Sequence, residues 1–203
     1  MPMRIFLAGA TGVIGIRMLP LLIGAGHTVA GMTRSPHKAG ELRALGAEPV
    51  VCDVFDAPAL AGAVTSFAPD LVMHQLTDLP DEADQLPGFA ARNDRMRTEG
   101  TGNLLAAAAA AGASRILAQS IAWRPAGRGG AMDEMERQVL DAVGVVVRYG
   151  QLYGPGTYYP DVLPAPPRIH VERAARATLP LMLAPPGVVI LTDETLPRAA
   201  VAG

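Results

Sequence analysis

The stretch MRIFLAGATGVIG, residues 3–15, decides how the rest of the chain is read. An apolar run of strand length leads into Gly9, Gly12 and Gly15, spaced by two residues each, and a stretch of helical length follows near 13–25. A glycine pattern alone is weak evidence, but a strand before it and a helix after it change its meaning. In that setting Gly9 permits a tight turn, Gly12 lets the backbone approach a pyrophosphate, and Gly15 lets the helix pack against the sheet with its N-terminus facing phosphate charge. The run Gly9, Thr11, Gly12, Val13, Ile14 and Gly15 is therefore a candidate dinucleotide cradle.

Downstream, apolar runs of strand length alternate with helical stretches. Strands are expected at 3–9, 27–33, 48–52, 70–75, 115–120, 143–149 and 187–192, and helices near 13–25, 36–45, 57–67, 89–112, 131–143 and 171–183. Continuous apolar strands alternating with helices predict a parallel sheet covered on both faces, a doubly wound, Rossmann-like α/β fold. The chain reads as one domain over 1–203, with Pro20 expected to kink the first helix. From Gly150 the composition turns rich in Gly, Pro and Tyr, which predicts an irregular segment at about 150–170, and the tail LPRAAVAG is expected to fray.

Composition narrows the function classes. With 203 residues, 50% of them hydrophobic, the chain can bury one good core. Seventeen basic against nineteen acidic side chains leave no electrostatic footprint for nucleic acid or an anionic membrane. The Ala-rich run NLLAAAAAAGA is far short of the roughly 20 residues that span a bilayer. Cys52 is the single cysteine, and the N-terminus has no signal-peptide pattern, so a cytoplasmic protein acting on a small molecule is expected. No metal site is expected.

The second strand speaks to the cofactor. An acid at its end suits the ribose hydroxyls of NAD, whereas this chain has MTRSPHK with Arg34 there. A guanidinium can pair bidentately with a 2′-phosphate, helped by Ser35, His37 and Lys38, so NADP(H) is expected over NAD(H). At the third strand end Asp53 and Val54 stand where an adenine edge and face would be met.

Together these residues resemble the extended and atypical branches of the short-chain dehydrogenase/reductase superfamily, especially the NAD-dependent epimerase/dehydratase type. The likeness runs through GATGVIG, CDV, DLVMHQ, RTEGTGNLLAAAAAAGASRILAQS, VRYGQLYGPGTYY and IHVERAARATL. It implies that His74, Gln75, Leu76 and Thr77 lie beside the nicotinamide ribose and that Ser120 matches a catalytic Ser or Thr. It also implies helices after the fourth and fifth strands that commonly form a dimer face, so a homodimer is an open expectation.

Two departures stand out. The family's Tyr-x-x-x-Lys pair, in which lysine lowers the tyrosine pKa for proton transfer, cannot be written anywhere. The chain has one lysine, Lys38, and its tyrosines are Tyr149, Tyr153, Tyr158 and Tyr159; the matched positions fall near Arg128 and Met132. The C-terminal substrate lobe is reduced to about the dozen residues TYYPDVLPAPPR, which disfavours a nucleotide-sugar substrate. Replacement acids are sought in Ser120, Tyr158 and Tyr159. His74 reads as a core histidine or a site group, His170 as a cap or a site group, and Arg97 and Arg148 as anion binders or structural ties.

Three functions remain open from sequence. One is an NADP(H)-dependent oxidoreductase acting on a small or conjugated acceptor that can draw its proton from water. A second is a nucleotide-binding sensor or scaffold without redox activity, and a third is a cyclase or isomerase on the same fold.

Overall fold

The computed structural model describes residues 1–124 and 129–196. The elements run β1 (Arg4–Ala8), α1 (Gly15–Gly24), β2 (Thr28–Thr33), α2 (Ala39–Ala44), β3 (Glu48–Val51), α3 (Ala57–Phe67), β4 (Leu71–His74), α4 (Ala90–Arg95), α5 (Thr101–Ala110), β5 (Arg115–Ile121), α6 (Gly130–Asp141), β6 (Val145–Tyr149), β7 (Gln151–Tyr153), β8 (Arg168–His170), α7 (Val171–Thr178) and β9 (Gly187–Leu191). Seven strands form one parallel sheet in the order β3-β2-β1-β4-β5-β6-β9, so the doubly wound expectation holds. Strand order reverses between β1 and β4, which opens a crevice above their C-terminal ends.

Helices cover both faces, and this explains why the central strands are apolar without alternation. β4 is buried at every position and β1 at all but its first. One face packs Ile5, Leu7, Leu71, Met73 and Val147 under α1 and α7, where Met18, Leu22 and Ala174 meet them. The other packs Phe6, Ala8, Met32, Val72 and Ala118 under α3 and α5, through Leu60, Val64, Leu104 and Ala107.

Local departures from the sequence reading have identifiable causes. Helix α1 continues through Pro20 as one element. The expected 89–112 helix is interrupted by a π-helical turn at Met96–Gly100, where the chain closes on Val54: a Cβ on Gly100 would lie 3.0 Å from Met96 Sδ and 3.3 Å from Val54 Cγ1. The last helix tightens into a 3-10 turn at Leu179–Leu183, because Pro180 supplies no amide for an α-helical bond. Within the irregular segment, β7 and β8 form a short parallel ladder that the sequence did not suggest. The tail from 197 onward lies outside the described residues. Among the described residues no helix is long and apolar enough to cross a membrane.

Tyr149, at the end of β6, is 2% exposed. Its hydroxyl donates to Thr178 Oγ1 at 2.7 Å, since the Thr178 hydroxyl itself donates to the Ala174 carbonyl. Burial pushes its pKa up to about 12, against a partial lowering by hydrogen bonding. Ultraviolet titration should therefore show Tyr149 as the last tyrosine to ionise, near pH 12, and Tyr149→Phe should remove that step; ionisation of all four together would contradict this packing.

Candidate functional site

The glycine loop sits at the β1–β4 crevice, and two of its glycines are dictated by close packing. Gly9 has φ +86°, and a Cβ on it would lie 2.6 Å from the Gln75 carbonyl oxygen. A Cβ on Gly15 would lie 2.2 Å from the Gly9 carbonyl oxygen. Gly12 differs. It is exposed, and a Cβ there would meet only the Gly9 carbonyl, at 3.2 Å, so the space above it is open to a ligand. Among the described residues, the N–H groups of Val13, Ile14 and Gly15 have no hydrogen-bond partner. Unspent donors at a helix start with no acid in its first turn favour an anion. Thr11 Oγ1 lies 3.2 Å from Thr33 Oγ1, tying the loop to β2.

Sequence reasoning missed what holds this loop from outside. Arg17 donates to the Val13 carbonyl at 2.7 Å, to Glu172 Oε1 at 2.8 Å and to the Pro155 carbonyl at 2.5 Å. One guanidinium thus joins the loop, α7 and the turn after β7. Its sequence setting, IGIRML, looks like an ordinary helix surface.

On the adenosine side, Arg34 follows β2 and is 43% exposed, with Nη2 donating to Asp78 Oδ1 at 3.3 Å. Asp53 Oδ1 accepts the Phe55 N–H at 2.9 Å, leaving Oδ2 without a partner among the described residues. The expectation for Val54 needs correction: its side chain is buried against Met96 and Gly100, and its carbonyl accepts from Asn103 Nδ2 at 3.0 Å, leaving only its N–H without a partner among the described residues. Gln75 is corrected in the same way. Its amide is buried beside the Tyr149 hydroxyl without a well-formed hydrogen bond, so the side chain points into the α1 and α7 layer. Leu76 is half-buried; its N–H is taken by His74 Nδ1 and its carbonyl by Gln119 Nε2.

On the chemical side, none of the expected acids presents a free hydroxyl. Ser120 lies on the strand face turned to α6, and its Oγ donates to Glu136 Oε1 at 2.5 Å. Glu136 is also held by Arg148 through Nε at 2.9 Å and Nη2 at 2.5 Å. Tyr158 donates to the Pro80 carbonyl, strapping the irregular segment to the loop after β4. Tyr159 donates to Gln151 Oε1 at 3.3 Å. All three hydroxyls expected to act are engaged in ties within the fold. Of the two positions matched to Tyr and Lys, Met132 is buried and Arg128 lies outside the described residues.

His74 and His170 are held by hydrogen bonds within the fold. His74 accepts the Leu76 N–H on Nδ1, so Nε2 carries the proton and donates to Thr101 Oγ1 at 2.9 Å. Burial lowers its pKa to about 4, keeping it neutral. His170 caps α7 by accepting the Glu172 N–H. Arg148 is the tie it was offered as, while Arg97 meets Asp94 only at 3.9 Å.

Burial alone would raise the Glu136 pKa, but hydrogen bonds from Arg148 and Ser120 outweigh it and hold the carboxyl below its usual range. A depressed carboxylate contributes stability above its unfolded pKa and loses it as pH falls through the folded value. Arg148→Ala, which strands that carboxylate, should cost about 3 kcal/mol in urea unfolding at neutral pH. The difference from the parent chain should shrink on acidification below about pH 4. A pH-independent difference would mean that Arg148 acts through packing alone.

Comparison with known proteins agrees with this geometry. A family model described as NAD(P)H-binding matches residues 9–143. A Streptomyces protein named 3-diazoavenalumate denitrifying reductase is 40% identical over 182 residues, covering 77% of this chain and 59% of that protein, so the chain spans about three fifths of this relative's length. Among solved structures, UDP-glucose 4-epimerase from Thermotoga maritima, with UDP-glucose, superimposes with a TM-score of 0.77 at 17% identity, covering 94% of this chain and 77% of that one. The Bordetella bronchiseptica enzyme WbmH, in complex with NAD+, gives 0.74 at 18% identity, covering 95% and 76%. The structures share the fold, and the family model begins at Gly9 and covers most of the sheet; the chain belongs to the NAD(P)H-binding family, on the Rossmann-like fold of the epimerase/dehydratase enzymes.

Proposed function

We propose that the chain is an NADP(H)-dependent oxidoreductase of atypical short-chain dehydrogenase/reductase type, reducing a small or conjugated acceptor. The observation that carries this reading is the open Gly12 followed by the unspent N–H groups of Val13, Ile14 and Gly15, beside a second strand that ends in Arg34 rather than an acid. In this reading the N–H groups of Val13 and Ile14 hold the pyrophosphate and Arg34 reads a 2′-phosphate. Asp53 Oδ2 and the Val54 N–H meet the adenine edge. The Streptomyces relative, a reductase by name, supports the reaction class.

A bound nicotinamide supplies hydride. The residues around the crevice supply position, since Ser120, Tyr158 and Tyr159 already spend their hydroxyls on Glu136, Pro80 and Gln151. An acceptor that delocalises the added electron pair and takes its proton from water asks nothing more of the protein. The relative's name places its own substrate among diazo compounds, not isolated ketones. An isolated ketone, which needs a proton at the developing alkoxide, fits poorly.

Gly12→Val should abolish NADPH binding in calorimetry while leaving the circular dichroism spectrum intact; unchanged affinity would sink the placement of the pyrophosphate. Arg34→Ala should weaken NADPH about ten- to a hundredfold, the loss of one charge-assisted bond worth roughly 1.5 to 3 kcal/mol, and leave NADH nearly untouched. Equal loss of both cofactors would make Arg34 structural. With flavin or quinone acceptors the rate should lack a basic-limb pKa, and Tyr158→Phe should leave turnover within about threefold. A larger fall with cofactor affinity kept would identify Tyr158 as the acid.

A further inference from the structure

Arg34 does not stand alone. Its Nη2 shares Asp78 Oδ1 with Nη2 of Arg92, at 3.3 and 3.1 Å, so the two guanidinium groups lie side by side. Arg92 also places Nε on Asp78 Oδ2 at 3.1 Å, a bidentate grip, and its guanidinium lies 4.5 Å from the centre of the Phe89 ring. Asp78 is 6% exposed, and its own N–H is held by Asn93 Oδ1 at 3.1 Å. Helix α4 therefore both fixes the loop after β4, through Asn93, and supplies the second arginine.

The charge of this cluster is unbalanced in a useful direction. Two guanidinium groups face one buried carboxylate, leaving a net positive charge at a point where both arginines reach solvent, 43% and 55% exposed. Among the described residues, Arg34 Nε and Nη1 and Arg92 Nη1 have no acceptor. Asp78 engages one edge of each group and leaves other N–H donors for a further anion. Two preorganised guanidiniums suit a tetrahedral dianion better than one, because each can donate to a different oxygen.

Building on the NADP(H) reading, we infer that Arg92, presented by α4, is a second specificity-determining residue for the 2′-phosphate. Asp78 is the brace that aligns it with Arg34. The phosphate is gripped from two elements on opposite sides of β1 in the strand order, β2 through Arg34 and the loop after β4 with α4 through Arg92.

Calorimetric titration of the full chain with 2′,5′-ADP, which carries the monoester, and with ADP, which lacks it, tests this. Arg92→Ala should weaken 2′,5′-ADP about tenfold and leave ADP unchanged, and Arg92→Lys should restore part of the loss. Unchanged ADP affinity also reports that the glycine loop is folded. If Arg92→Ala leaves 2′,5′-ADP untouched while Arg34→Ala weakens it, the second reader is overturned and the NADP(H) reading stands. Equal weakening of both nucleotides by Arg92→Ala, with Arg92→Gln behaving alike, would assign Arg92 to bracing the loop and also overturn the inference. If the parent chain binds both nucleotides equally and neither arginine matters, the NADP(H) reading falls and this inference with it.

Discussion

The close seating of the β1–α1 turn on the end of β4 governs the rest of the site. Gly9 passes so near the Gln75 carbonyl, and Gly15 so near the Gly9 carbonyl, that a methyl group at either position would collide with main chain. Backbone cannot yield as a flexible side chain can, so these contacts fix where α1 begins and where its unpaired N–H groups stand. Everything that would meet a dinucleotide is placed relative to that turn. Arg17 secures it from outside by joining the Val13 carbonyl to α7 and to the Pro155 turn.

Two buried carboxylates organise the ground on either side. Glu136 is held by Arg148 and Ser120, and Asp78 by Arg34, Arg92 and the reach of Asn93 to its amide. Their consequences differ. Around Glu136 the bonds consume the hydroxyl expected to do chemistry, and burial of the carboxylate makes that tie costly to break. Around Asp78 the cations outnumber the anion and remain partly exposed, so positive charge is left over at the crevice edge. One carboxylate stabilises the fold, and the other aligns residues that face solvent.

The 150–170 segment is tied to the same ground. It carries the short β7–β8 ladder, with Gly150 packed on the Arg168 backbone, and the Tyr158 strap to Pro80. The Tyr158 bond brings the segment against the loop after β4.

The parallel sheet, its covered faces and the glycine loop were legible in the sequence because each rests on local pattern. Buried strands need continuous apolar runs, helices need their own length, and a turn crossing backbone at close range needs glycine whatever lies elsewhere. The absence of a Tyr and Lys pair was equally plain, since it is a matter of which residues exist. The fates of Ser120, Val54, Gln75 and Arg92 were decided only by tertiary structure. Strand position tells that successive residues face opposite layers, but not which layer holds the ligand or what partner waits there. Ser120 meets Glu136 sixteen positions away, and Arg34 meets Asp78 forty-four positions away. Each hydroxyl, amide or guanidinium takes the partner that the packed chain puts within about 3 Å, and that choice is written in no local stretch of sequence.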